Sequence, residues 1–130
     1  MRILLDTNAY SAWKRGHEGV ATCIRRAERV VFSSIVAGEL LFGFRVGARA
    51  HRNLRELDEI LSRAVVSLLP VTLTTAHRFA VIAATLRRRG TPLPTNDLWI
   101  AAQAMESGAE LVSFDDHFSR IDGLLWVKPS

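Results

Sequence analysis

Apolar residues fall into two rhythms along this chain. Short unbroken runs such as Ile3-Leu4-Leu5 and Val30-Val31-Phe32 alternate with longer stretches whose apolar positions recur every three or four residues. The unbroken runs predict strands over 2–5, 30–32, 67–71, 110–114 and 124–127. The helical spacing predicts helices over 10–14, 19–28, 35–44, 50–65, 74–89 and 97–106. Val20, Ile24 and Ala27 share one face of the second helix, and Leu54, Leu57, Ile60 and Leu61 give the fourth its stripe. Punctuation supports these limits. Ser33-Ser34 offers an N-cap, Gly90 and Gly108 close two helices, and Pro70 inside the third strand predicts an edge position. Before the last helix, Thr95 or Asn96 is expected to cap, and Asp97 in the first turn suits the positive end of the helix dipole.

Strands that alternate with helices from end to end imply a parallel sheet covered on its faces, an α/β fold. With 130 residues, no repeat and no linker, residues 1–130 are expected to form one domain. No apolar run approaches the ~20 residues needed to span a bilayer, so no membrane role is expected. The opening Met1-Arg2-Ile3-Leu4-Leu5 stops at Asp6 without a small-residue cleavage site, and reads as a strand and not a leader. Cys23 is the single cysteine, which fits a reducing cytoplasm.

Charge adds a direction. The net charge is +4, and of the basic side chains only Lys14 and Lys128 are lysines. Arginine forks suit phosphates, so the bias leans towards a polyanionic partner. Arg45, Arg49 and Arg52, after the third helix, are well placed to grip RNA or an acidic partner. Arg87-Arg88-Arg89 suits the end of its own helix first.

In parallel α/β folds ligands gather at the carboxyl ends of the strands. Asp6 ends the first strand, Asp115 the fourth, and Asp97 opens the helix that leads into the fourth. Glu39 lies in the helix after the second strand, with Ile35, Val36, Phe42 and Gly43 at helical spacing, so it is expected to face inward. Each acid has a plainer reading: an Asx-type cap for Asp6, a surface turn for Asp115, a helix cap for Asp97, a buried arginine pair for Glu39. Together they suggest a common site. Two carboxylates ~5 Å apart repel by about 3 kcal/mol at an effective dielectric of 20, so four need a cation. Oxygen ligands without cysteine or paired histidines select Mg²⁺ or Mn²⁺. His17, His51, His77 and His117 show no metal spacing, and His117 is read mainly as a surface residue.

Four ordered motifs, "ILLDTNAYS", "SSIVAGELLFG", "TNDLWIAAQA" and "LVSFDDHFSRIDGL", resemble those of PIN-domain nucleases of the VapC toxin type over nearly the whole chain. The resemblance implies a Rossmann-like three-layer α/β/α domain with a central parallel sheet. It implies a Mg²⁺- or Mn²⁺-dependent endoribonuclease acting on structured RNA such as tRNA or rRNA. It also implies a homodimeric toxin and a cognate antitoxin. Carried over, Asp6, Glu39, Asp97 and Asp115 form the acidic set, with Asp6 and Asp97 as direct ligands and Glu39 and Asp115 acting through water or a second ion. Asn8 and Ser113 support them, Thr7 helps to hold Asp6, Asn96 stands beside Asp97, and Asp116 is an outer helper.

The Glu39 helix is apolar over much of its circumference, so Phe42, joined by Trp13, is expected to line a partner groove. Two other classes compete. A receiver-like phosphoacceptor would need an aspartate after the middle strand, and none follows Val71. A catalytically inactive RNA-binding or interaction domain on the same fold has no reason to keep buried charges.

Overall fold

The computed structural model describes residues Met1–Ser130. Five strands, β1 (Arg2–Leu5), β2 (Arg29–Ser33), β3 (Val66–Leu69), β4 (Glu110–Val112) and β5 (Trp126–Val127), form one sheet in the order β3-β2-β1-β4-β5. Every pairing is parallel. Six helices surround it: α1 (Thr7–Lys14), α2 (Glu18–Arg26), α3 (Ser34–Val46), α4 (Ala50–Leu61), α5 (Leu73–Arg88) and α6 (Thr95–Ser107). A short 3-10 helix, Asp116–Arg120, follows β4.

The unbroken apolar strands have a simple cause: both faces of the sheet are covered. Leu4, Val31 and Leu111 join Val36, Leu57 and Ile100 in the larger core, on the side of α3 to α6. Ile3, Leu5, Val30 and Val112 join Ala9, Ala12 and Val20 in the smaller core, under α1 and α2. The result is the three-layer α/β/α architecture. The strand order reverses direction between β1 and β4, the point where open parallel sheets leave a crevice at their carboxyl ends.

Boundaries differ from expectation where tertiary bonds compete with local preference. The fourth helix stops at Leu61, short of the expected 65, because the carbonyl of Val65 is taken by β2: Val30 N donates to Val65 O at 2.9 Å. β3 is an edge strand, as expected, but it ends at Leu69, so Pro70 lies outside it. α1 starts at Thr7 and not at residue 10, because Asp6 caps it and accepts from Ala9 N. α6 starts at Thr95, and neither Thr95 nor Asn96 caps it. Pro94 holds the N-cap position with φ −55° and no side-chain bond, and its fixed φ already suits a helix entry. At the other end Gly108, with φ +68°, takes the left-handed turn that returns the chain to β4.

One buried amide ties α6 across two strand ends. Gln103 is fully buried. Its Oε1 accepts from Ser33 Oγ at 2.5 Å, and its Nε2 donates to Leu69 O at 3.0 Å. The same Ser33 Oγ accepts from Ile35 N and Val36 N and so caps α3. Gln103→Leu keeps the volume but orphans a buried hydroxyl and a carbonyl. Urea unfolding should show a loss of about 2–4 kcal/mol; a loss below about 1 kcal/mol would refute this role.

Candidate active site

The crevice between β1 and β4 collects acids from four separate segments. Asp6 leaves the end of β1 and is buried, 7% exposed. Its Oδ1 accepts from Ala9 N at 2.9 Å, and its Oδ2 accepts a short hydrogen bond from Ser113 Oγ. Ser113 is itself fully buried just beyond β4, and its Oγ also accepts from Asp115 N at 3.0 Å. One serine therefore fixes one acid and the backbone of another.

Glu39 comes from the second turn of α3. Thr7 Oγ1 donates to its Oε1 at 2.5 Å, and Asn96 Nδ2 to its Oε2 at 3.3 Å. No arginine or lysine pairs with Glu39, Asp6, Asp97 or Asp115. Asp97 sits half-buried in the first turn of α6. Asp115 caps the 3-10 helix, accepting from His117 N at 3.2 Å, and stays exposed.

The electrostatics record the crowding. Burial raises the Asp6 carboxyl above its ordinary value. The bonds from Ser113 and Ala9 oppose that shift, and the charges of Asp97 and Asp115 add to it. Asp97 is also raised, first by burial. His117 opposes the shift, while Glu39 and Asp115 reinforce it. Hydrogen-bonded carboxylate oxygens gathered without a lysine or arginine match the donor set of a hard divalent ion.

His117 belongs to the same group, against the expectation of a surface role. Its Nε2 lies 3.0 Å from Asp97 Oδ2 and its Nδ1 3.1 Å from Asp115 Oδ1, with the side chain only 18% exposed. Ligand atoms of Asp97, Asp115 and His117 all lie within 4.8 Å of one another. The spacing Asp-x-His is visible in the sequence, but only the 3-10 turn brings both side chains to one side.

Other expected helpers take different places. Thr7 bonds Glu39 and not Asp6, because as the first residue of α1 it stands opposite α3. Asn8 is exposed and makes no side-chain bond in this network; the support expected of it comes from Ala9 N. Asp116 turns outward to Lys128 Nζ at 2.9 Å, because the 3-10 turn separates it from Asp115. Glu39 is half-buried, but its neighbour Phe42 is 70% exposed and does not face inward. Val46 is as exposed, and Leu41 less so. Trp13 is half-buried against Tyr10, with Lys14 Nζ over its ring. Arg45, Arg49 and Arg52 are exposed or nearly so, and Arg52 approaches Glu56 at 3.7 Å. A groove of about 470 Å³ along α5, lined by Arg78, Val81, Met105 and Arg120 among others, contains none of the acids.

The chain is similar to known proteins along most of its length. The PIN-domain family model matches residues 3–124. Ribonuclease VapC5 of Mycobacterium tuberculosis is 29% identical over 125 residues, covering 96% of this chain and 91% of the relative. Ribonuclease VapC2 of Haemophilus influenzae is 31% identical over 115 residues, covering 87% and 86%. The solved structure of VapBC-1 from nontypeable Haemophilus influenzae superposes with a TM-score of 0.86 at 26% identity, over 98% of each chain. This chain belongs to the PIN-domain family, on the branch of the VapC ribonucleases.

Proposed function

We propose that the chain is the toxin of a toxin–antitoxin pair, a Mg²⁺-dependent endoribonuclease that hydrolyses structured RNA, with tRNA or rRNA as the target class and Mn²⁺ as an alternative ion. In this reading residues 1–130 act as one nuclease unit in the cytoplasm, as a homodimer, and a cognate antitoxin inhibits it. The observation that carries the reading is the meeting of Asp6, Glu39, Asp97 and Asp115 without a lysine or arginine partner at the crevice of a PIN-domain sheet. The VapBC likeness supports the antitoxin.

Asp6 and Asp97 are the ion's direct holders in this proposal, and Glu39 and Asp115 act through water or a second ion. When bound there, a divalent ion acidifies water and offsets the charge of a phosphodiester. The chain's own residues do the orienting. Ser113 and Ala9 N fix both oxygens of Asp6, so its carboxylate cannot swing away. Thr7 and Asn96 do the same for Glu39, which leaves the remaining lone pairs to direct a water. Exposed Arg45 and Arg49, with Arg52 beside them, supply phosphate forks. The uncovered face of α3 around Phe42, with the edge of Trp13, takes an apolar partner segment.

Two measurements test this. Asp97→Asn preserves shape and removes one charge. Cleavage of a structured RNA should fall by about 100-fold or more with little change in thermal midpoint; undiminished cleavage at low Mg²⁺ would end the assignment. The second concerns stability. Asp6 and Asp97 have folded-state values raised above the unfolded ones. Their favourable contribution is complete below the ordinary carboxylate range and is lost as pH rises through the raised values. In chelator at about pH 7, Asp6→Asn should therefore melt no lower than the natural chain, and its relative advantage should vanish towards about pH 4. Saturating Mg²⁺ should raise the midpoint of the natural chain by several degrees but not that of the variant. A natural chain indifferent to the ion would contradict the site.

A further inference from the structure

The placement of His117 goes beyond an acidic site, and its meaning depends on the nuclease reading being right. The ring is inserted between two carboxylates that come from different segments, one from α6 and one from the turn after β4. Phe118 packs edge-on against it, with ring centroids 4.8 Å apart and planes at 71°. Its Nε2 is buried and lies 3.0 Å from Asp97 Oδ2, close to it but without the alignment of a good hydrogen bond. Here a nitrogen and two carboxylates supply three ligand atoms within 4.8 Å of one another, close enough to share one centre.

We propose that His117 is a nitrogen ligand to the ion held by Asp97 and Asp115, making the site a mixed nitrogen–oxygen one that favours Mn²⁺ over Mg²⁺. The chemical reason is donor type. Mg²⁺ demands near-octahedral oxygen ligands and gives up its waters reluctantly. First-row transition ions accept imidazole alongside carboxylate. Asp115 Oδ1 lies 3.1 Å from Nδ1 and Asp97 Oδ2 3.0 Å from Nε2, so the two carboxylates of the site also fix the position of the ring.

The test uses the full chain, purified without partner and stripped with a chelator. MnCl₂ and MgCl₂ are titrated calorimetrically into the natural chain, His117→Ala and His117→Asn. The Mn²⁺-loaded proteins are probed by electron spin echo envelope modulation for bound ¹⁴N. Nitrogen modulation should be present in the natural chain and absent from both variants. The preference for Mn²⁺ over Mg²⁺ should shrink by about tenfold on substitution. Absence of nitrogen modulation in the natural chain overturns the proposal, even if a variant fails to fold. So does an equal loss of affinity for both ions, which marks a purely electrostatic or structural role. If the natural chain binds neither ion, the nuclease reading fails with it; if it binds both without a nitrogen signal, only the role of His117 falls.

Discussion

Like charges held close in a partly dry crevice are the constraint around which this molecule is arranged. Asp6, Asp97, Glu39 and Asp115 each raise the energy of ionising another of the set or are raised themselves. A chain selected only for stability would replace them. This one does the opposite and commits several hydrogen bonds to keeping them in place. Ser113, Ala9 N, Thr7 and Asn96 each donate to one of these acids. Such bonds favour the charged form and partly offset burial. The carboxylates are thus held in place against their own repulsion and burial.

The rest of the fold serves that arrangement. The reversal of strand order between β1 and β4 opens the crevice, and the two apolar cores on either side of the sheet keep the strand ends from spreading. Gln103 locks α6 to the ends of β2 and β3. Asp97 rides on the same helix, about one and a half turns earlier, so the tether sets its reach as well. Phe79 stacked on Trp99, centroids 3.9 Å apart, and Thr75 bonded to Glu106 hold α5 along the other side of α6. Precision at the acids comes from these distant contacts.

Most of the architecture is legible in the chain, because apolar periodicity and the Gly and Pro signals are local quantities. All five strands and all six helices can be read there, and their limits err where a long-range bond intervenes, as at Val65. The four acids are legible too, since they follow strand ends or occupy an inward helical position. What stays hidden is the wiring. Thr7 reads as a neighbour's support for Asp6, yet helix geometry turns it to Glu39. Asn8 reads as a ligand holder and faces solvent. Asp116 and His117 are adjacent in the chain, and a 3-10 turn sends one out to Lys128 and the other into the crevice. Such choices depend on where α1 and the 3-10 turn begin, which residue type alone does not fix.

The bond between Ser113 and Asp6 spans 107 positions of the chain, and β1 receives β4 only after nearly everything between them has been made. A polypeptide that emerges amino end first therefore exposes its opening aspartate long before the serine and the fourth acid exist. Until then the crevice has one wall. A nascent chain therefore has no completed acidic crevice beside the ribosome that is making it, and the four carboxylates meet only after synthesis has passed Asp115.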